Sequence, residues 1–212
     1  MFFFGHIGIT VGAAKAFEIL ETVTKPNNSH EPDSSLKCGT VIDRGRLRLY
    51  FLLNRIKGRL GSIDYRMILL GSLLPDIIDK PVWFFVTSLT SNAFLSGRDY
   101  AHTLLFNLAL LIGGLVLIRY KKSWLLIISL SSFMHLIFDQ IWNSPVVLLW
   151  PLLGPLPKEE TVGWLSNVFQ GLFLYPEVYV PEIIGLLIII LFTSRLVIKK
   201  GVTSFLRGGV IV

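Results

Sequence analysis

The chain has 212 residues, of which 52% are hydrophobic and only 16% are charged, and its mean hydropathy is +0.64. Soluble domains carry about 25% charged residues, so this composition excludes an ordinary soluble domain and indicates an integral protein of the plasma or inner membrane. The net charge of +6 fits basic loops against anionic headgroups better than nucleic-acid binding, which we do not expect.

The apolar residues form five blocks of roughly the length that crosses a bilayer. These predicted spans run over Phe2–Val23, Met67–Leu89, Thr103–Ile118, Ser123–Trp142 and Pro181–Ile198. We therefore expect one all-α domain over residues 1–212, built as a multi-spanning bundle of membrane helices. Pro75 lacks the N–H that a regular helix needs, so the second span is expected to be kinked or broken there.

The basic residues predict the orientation of these spans, because Lys and Arg are enriched in cytoplasmic loops. If the turn at Lys121 is cytoplasmic, the linker 24–60 and the residues after the last span are cytoplasmic as well. Of the 20 Lys and Arg residues, only Lys80, Arg98 and Lys158 then face the other side, and Lys15 lies within the first span. The N-terminus is therefore expected outside and the C-terminus in the cytoplasm.

The cytoplasmic linker 24–60 has two parts of different composition. Residues 24–39 are rich in Asn, Ser, Pro and Glu and predict a loop. Residues 44–60 alternate basic side chains with Leu, Tyr, Phe and Ile. This second part fits either an amphipathic helix at the membrane interface or a solvated linker helix.

Every predicted span carries at least one imidazole or carboxylate, which is unfavourable in lipid and therefore marks a candidate site. These groups are His6, Asp76, Asp79, His102, His135, Asp139 and Glu182. Spans one, three and five begin outside and spans two and four end there, so all five bring such a group to the outer half of the membrane. The orientation rests on Lys and Arg alone, so this convergence is separate support for one composite site.

The donor types and their spacing favour a metal centre. His135 and Asp139 are four residues apart and Asp76 and Asp79 are three apart, so each pair shares one helix face. Imidazole and carboxylate donors without a thiolate suit zinc, manganese or iron, and the number of carboxylates is compatible with one or two ions. The predicted metal ligands are His6, Asp76, Asp79, His102, His135 and Asp139.

Five short motifs extend this interpretation to a family. They are Phe4 to His6, Gly71 to Asp79, Arg98 to Leu105, His135 to Asp139, and Leu149 to Leu152. In order and spacing they resemble the YdjM-like family of membrane-bound, metal-dependent hydrolases, which is itself distantly similar to zinc-dependent phospholipase C. The resemblance implies a helical site with His6, Asp76, His102, His135 and Asp139 at ligand positions and Asp79 close by. The chain has no histidine after Asp139, so we do not expect a full trinuclear site.

These observations predict a hydrolase in which a metal-activated water attacks a phosphoester, such as a phospholipid, at the outer membrane face. Asp76 or Asp79 is the predicted base, Arg98 a contact for the substrate phosphate, and Glu182 either a catalytic acid or a favourable charge at a helix start. Membrane lipids are the expected partners. A non-catalytic metal carrier or sensor is the alternative. A haem between His102 and His135 is a third reading, but it would leave the carboxylates unused.

Overall fold

The computed structural model describes residues 3–25, 41–90, 97–156 and 164–210. Within these ranges the regular structure is entirely helical, as predicted. The helices are α1 (Phe3–Thr24), α2 (Val41–Leu60), α3 (Tyr65–Thr90), α4 (Leu104–Leu117), α5 (Trp124–Phe138), α6 (Pro145–Leu148), α7 (Trp164–Leu174), α8 (Pro176–Ile198) and α9 (Val202–Gly208). The predicted loop is described only at residues 24 and 25; residues 26–40 and Lys158 lie outside the described ranges.

The five longer apolar helices correspond to the five predicted spans and pack side by side in the order α8, α1, α3, α5, α4. Helices α1 and α8 run in the same direction, because Phe4 contacts Glu182 and Gly12 faces Ile188. Helices α4 and α5 run in opposite directions. The beginnings of α1 and α4 and the end of α5 therefore meet at one end of the bundle.

Glycines allow the closest helix contacts. A Cβ atom at Gly8 would overlap the backbone of Gly185, where α1 meets α8. A Cβ atom at Gly114 would lie 2.7 Å from the Cα atom of Leu126, where α4 meets α5. Such close approach through small residues is typical of membrane helices. Lipid is as apolar as the side chains, so helix association depends on close van der Waals packing.

Polar side chains are buried in this bundle and many large apolar side chains are exposed. His102, His135 and Asn107 are 0% exposed, whereas Ile112 is 61% and Leu187 54% exposed. In water such an arrangement would leave apolar surface unfavourably solvated. In a bilayer it is favourable, because polar groups must find partners inside the protein.

Two of the described helices are long and apolar enough to cross a membrane by themselves, namely Phe3–Thr24 and Pro176–Ile198. Leu104–Tyr120 and Trp124–Phe138 are apolar but shorter. A 15-residue helix is only about 22 Å long, against about 30 Å for the hydrocarbon core. Five helical segments are present where five spans were predicted, but the count of five crossings is not confirmed.

Of the two forms predicted for the second span, a kink or a break at Pro75, the break is wrong. Helix α3 continues from Tyr65 to Thr90 through both Pro75 and Pro81. A proline removes one N–H and opens the ladder locally, and neighbouring groups can then bond to the carbonyls nearby. The carbonyl oxygen of Ser72, three residues before Pro75, accepts a hydrogen bond of 2.7 Å from His135 Nδ1.

The other end of the bundle carries most of the exposed basic residues, and we call it the basic end. It comprises α2, α9, the end of α1 and the turn 118–123. Lys57 Nζ pairs with Glu21 at 2.6 Å, and Arg46 donates to the Val23 carbonyl at 2.7 Å, so α2 is fixed against α1. Residues 44–60 thus form a helix, as both interpretations expected.

The exposed face of α2 favours the amphipathic interpretation. Phe51 is 64% and Leu52 58% exposed, whereas Leu53 is only 8% exposed. Basic side chains on the same helix, including Arg48 and Arg55, are exposed as well. Apolar and basic groups exposed together on one helix are typical of a helix that lies in the headgroup region.

Candidate metal centre

Five of the predicted ligands meet at the end of the bundle opposite the basic end. His6 comes from α1, Asp76 from α3, His102 from the loop before α4, and His135 and Asp139 from α5. We call these five residues the His/Asp cluster. His6, His102 and His135 are at most 1% exposed, and the Asp139 side chain is 3% exposed. The Asp76 side chain, at 15%, is the most exposed member.

Asp76 Oδ1, His102 Nε2 and His135 Nε2 form one possible metal-binding group, and Asp139 Oδ2 lies beside its two imidazoles. His102 Nε2 and His135 Nε2 are 3.3 Å apart. Asp76 Oδ1 lies 3.7 and 3.9 Å from these two nitrogens, and Asp139 Oδ2 lies 3.8 and 3.9 Å from them. A zinc ion with tetrahedral ligands about 2.0–2.2 Å away holds those ligands about 3.3–3.6 Å apart. Asp76, His102 and His135 therefore could hold a divalent ion after small inward shifts.

The same arrangement argues against a haem. An imidazole on each side of a porphyrin must lie far enough away to admit the ring between them. Oxygens of Asp76 and Asp139 lie within 3.9 Å of both His102 Nε2 and His135 Nε2, in the space beside them that a porphyrin ring would need. The carboxylates beside both nitrogens also suit a small hard or borderline ion better than a porphyrin.

Both central imidazoles are oriented by a hydrogen bond at the opposite ring nitrogen. His135 Nδ1 donates to the Ser72 carbonyl at 2.7 Å, and His102 Nδ1 donates to Asp79 Oδ2 at 2.7 Å. Each Nε2 then carries the lone pair and faces the centre of the cluster. Metal-binding histidines are commonly held in this way, and the bond fixes their tautomer and makes them better ligands.

Asp79 lies behind His102, whereas the sequence interpretation made it a ligand or base. Its carboxylate accepts backbone N–H bonds from Asp99 at 2.9 Å, Ala101 at 3.0 Å and His102 at 3.2 Å, besides the imidazole bond. The side chain is 0% exposed. Asp79 therefore holds the loop that carries His102 and orients its ring.

His6 lies on the far side of His135. Its ring stacks on the His135 ring with centroids 3.9 Å apart and an interplanar angle of 16°. His6 Nε2 is 3.1 Å from Asp139 Oδ1, the oxygen that does not face His102. His6, His135 and Asp139 form a second group of donor atoms within 4.8 Å of one another, so the cluster is compatible with one ion or two.

Two cations flank the carboxylates. Lys80 Nζ is 2.6 Å from Asp76 Oδ2, and Arg98 Nη2 is 3.1 Å from Asp139 Oδ2. The Lys80 side chain is 56% exposed and that of Arg98 47%. These residues mark the open side of the cluster, next to Asp76. Arg98, the predicted phosphate contact, is therefore beside the predicted ligands.

Glu182 is placed apart from the cluster. Its Oε2 accepts the backbone N–H of Phe4 at 2.9 Å, at the first turn of α1. A carboxylate there is favoured by the dipole of α1. The predicted helix start at Pro181 is wrong, because α8 begins at Pro176 and Glu182 lies inside it. Glu182 fixes the beginning of the helix that carries His6, two residues further on, and it belongs to neither of the two possible metal-binding groups.

Sequence reasoning missed a buried brace between α4 and α5. Asn107 Nδ2 donates to the carbonyls of Ala101 and Thr103, both at 3.0 Å, and Ser132 Oγ donates to Asn107 Oδ1 at 2.7 Å. Asn107 thereby holds the His102 loop against α5, three residues before His135. The signal was available, since an amide within an apolar span needs a partner inside the protein.

Comparisons with known proteins agree with the membrane interpretation. The family model described as YdjM inner membrane protein matches residues 44–202. That range is well over half of the chain, and it includes Asp76, His102, His135 and Asp139, whereas His6 precedes it. Neither the curated proteins nor the solved structures give a match. The family description and the two candidate spans confirm the prediction of an integral inner membrane protein.

Proposed function

The chain belongs to the YdjM inner membrane protein family, and from that premise we propose that it is a membrane-bound, metal-dependent hydrolase of phosphoesters. The observation that carries the proposal is the group of three donor atoms Asp76 Oδ1, His102 Nε2 and His135 Nε2, with Asp139 Oδ2 beside it. His102 Nε2 and His135 Nε2 are 3.3 Å apart, and each lies within 3.9 Å of a carboxylate oxygen of Asp76 and of Asp139.

Zinc is the ion that this donor set suits best, with manganese and iron as the other candidates. Asp76, His102 and His135 would hold one ion, and His6 and Asp139 offer donors for a second. A divalent ion held here supplies a Lewis acid that lowers the pKa of a water molecule and stabilises negative charge on a phosphoryl oxygen.

Asp76 is a predicted general base. Its side chain is 15% exposed, whereas those of His102, His135 and Asp139 are at most 3% exposed, so water reaches the cluster beside Asp76. One carboxylate oxygen faces the two imidazoles while the other is held by Lys80 at 2.6 Å. Asp76 would take the proton from the attacking water, and Asp79 would act by orienting His102.

Lys80 and Arg98 favour a phosphoester over an uncharged substrate. Both cations are about half exposed at the open side of the cluster. The planar guanidinium of Arg98, which pairs with Asp139 at 3.1 Å, has the geometry that binds phosphoryl oxygens. A phosphoester bound between them would bring its phosphorus atom next to Asp76 and the two imidazoles.

The arrangement of the two ends also supports the predicted topology. We propose five crossings, with the basic end in the cytoplasm, as the excess of Lys and Arg on that side favours. The His/Asp cluster then lies in the outer half of the membrane. The short helix α4 begins there and α5 ends there, so the loop that carries His102 lies at headgroup depth. A phospholipid headgroup is the substrate that this depth favours.

The test is hydrolysis by the purified protein in lipid nanodiscs, with metal content measured on the same samples. Phosphatidic acid and p-nitrophenyl phosphate are the probes, with zinc or manganese added. We expect turnover that chelation abolishes. In Asp76→Asn the turnover should fall by at least about 100-fold, as expected for loss of a general base. Arg98→Gln should raise KM more than it lowers kcat, whereas Lys122→Gln at the basic end should match the unchanged chain.

Two outcomes would overturn the proposal. A fully metal-loaded protein that hydrolyses neither probe would favour the non-catalytic metal carrier or sensor. Turnover that persists after chelation would show that the activity does not depend on a metal bound by the cluster. The topology is tested separately in sealed membrane vesicles, where a water-soluble substrate should be hydrolysed from the outer face and not from the cytoplasmic face.

A further inference from the structure

A second polar site lies at the basic end, far along the bundle from the His/Asp cluster. A cavity of about 780 Å³ opens between the end of α2 and the turn that joins α4 to α5. Its walls are formed by Gly58, Arg59, Leu60, Gly61, Leu115, Ile118, Arg119 and Lys121. The cavity therefore brings together two segments that are far apart in the sequence.

The polar side chains that line this cavity are all cationic. Arg59, Arg119 and Lys121 line it together, and none of its lining residues is acidic. None of the three makes a salt bridge or side-chain hydrogen bond with any residue in the described ranges. By contrast, Lys57 is paired with Glu21 at 2.6 Å. Three like charges around one cavity repel one another, and an anion between them would relieve that repulsion.

The remaining walls are apolar and continue to the outer surface of the bundle. Leu60, Leu115 and Ile118 line the cavity beside the cations, and Leu115 is 51% exposed. A small soluble anion would use the cations alone. A phospholipid would use both surfaces, because its phosphate meets the cations while its acyl chains follow the apolar helix surface. Basic pockets between membrane helices commonly bind anionic headgroups in this way.

We propose that this cavity binds the headgroup of one anionic phospholipid, with the phosphate held by Arg59, Arg119 and Lys121. The site is independent of the hydrolase proposal, since it shares no residue with the His/Asp cluster. With the basic end in the cytoplasm, the lipid belongs to the cytoplasmic leaflet. A bound lipid would link the end of α2 to the turn between α4 and α5.

The test measures lipid retained by the purified protein. The protein is exchanged into detergent containing equal amounts of phosphatidylglycerol and phosphatidylcholine, washed, and analysed by native mass spectrometry. We expect about one retained phosphatidylglycerol per chain and no retained phosphatidylcholine. Inorganic phosphate and glycerol phosphate, added in excess, should fail to displace the lipid, because they lack the acyl chains.

The decisive variant is Arg59→Gln, Arg119→Gln and Lys121→Asn combined. Asparagine suits position 121, where φ is +59°. Each cation near a headgroup strengthens binding about fivefold, so the three together should weaken retention of phosphatidylglycerol by roughly 100-fold. Metal content and any hydrolysis should be unchanged, which separates the failure of this site from the failure of the hydrolase proposal.

A matched control removes the same charge from the same end outside the cavity. The control combines Arg48→Gln, Arg55→Gln and Lys200→Asn, and Lys200 also has a positive φ, at +53°. It should retain phosphatidylglycerol as the unchanged chain does. Equal losses in both variants would show general electrostatic attraction and overturn the proposal, as would retention in the cavity variant or displacement by inorganic phosphate.

Discussion

The two ends of the bundle hold their charged side chains in opposite ways. In the His/Asp cluster the imidazoles and Asp139 are at most 3% exposed, and each has a named partner. At the basic end Arg59, Arg119 and Lys121 are exposed and have no partner among the described residues. Buried ionisable groups require compensation by neighbours or an ion, whereas exposed cations are solvated or meet anionic headgroups.

This contrast separates two tasks within one small helical protein. The buried end fixes geometry through many short hydrogen bonds, which is what a metal centre needs. The exposed end keeps its cations accessible, which is what contact with a lipid surface needs. A change at one end should therefore leave the property of the other end intact, and the following predictions use that independence.

Metal removal should have the largest effect. A ligand present at about 1,000 times its Kd stabilises the folded state by about 4 kcal/mol, so chelation should lower the unfolding temperature of the metal-loaded protein clearly. In His135→Ala chelation should have no effect, because the site no longer holds the ion. The triple variant of the lipid cavity should respond to chelation as the unchanged chain does, and a lost response there would contradict the separation of the two ends.

Asp79→Asn should have a smaller effect on the same property. An amide cannot accept all of the N–H bonds that the Asp79 carboxylate accepts, so the ring of His102 would lose its fixed orientation. Loss of such an outer partner weakens metal binding by about 10–100-fold, measurable by competition with a metal-sensitive dye. If Asp79 is itself a ligand, the loss should equal that of Asp76→Ala, and our placement of Asp79 would be wrong.

Gly8→Ala should destabilise the contact between α1 and α8. The added methyl group would overlap the Gly185 backbone, and forced overpacking destabilises a protein by about 1–3 kcal/mol. Gly12→Ala is the matched control, because its Cβ atom would meet the side chain of Ile188 at 3.1 Å, which can move aside. Thermal unfolding in detergent should show a clear decrease for Gly8→Ala only, and equal decreases would contradict the glycine contact.

The smallest effect concerns the acid sensitivity of the basic end. Burial acts to raise the pKa of Asp64, but the hydrogen bonds from Arg66 outweigh it and hold that pKa below its usual value. A depressed folded-state pKa stabilises the fold above the unfolded pKa, and this stabilisation is lost as pH falls through the folded pKa. Asp64→Asn should thus be less stable at pH 7 and lose the difference below about pH 4. A difference independent of pH would contradict this role.

The convergence of the site was predictable from the sequence because it depends on helix direction alone. His102 lies just before α4 and His135 in the last turn of α5, so two antiparallel helices bring them to the same end of the bundle. The Lys and Arg pattern supplied the directions. His6 and Asp139 followed from the same logic, and the structure brings these four and Asp76 into one cluster.

The individual partners could not be predicted, because they depend on the rotation and depth of each helix. Asp76 and Asp79 share a sequence motif, but only Asp76 faces the two Nε2 atoms while Asp79 bonds to the loop behind His102. The hydrogen bond from His135 Nδ1 to the Ser72 carbonyl likewise depends on how α5 is rotated against α3. The brace through Asn107 and Ser132 depends on how far α4 and α5 are shifted along each other, which the residue pattern of either helix alone does not show.

The central claim is that the His/Asp cluster holds a divalent ion, and elemental analysis of the purified protein tests it most directly. The protein should be isolated without chelator, reconstituted with zinc, washed, and measured beside His102→Ala and the lipid-cavity triple variant. We expect one or two zinc ions per chain in the unchanged protein and in the triple variant, and almost none in His102→Ala. Equal zinc in all three, or none in the unchanged protein, would contradict the account.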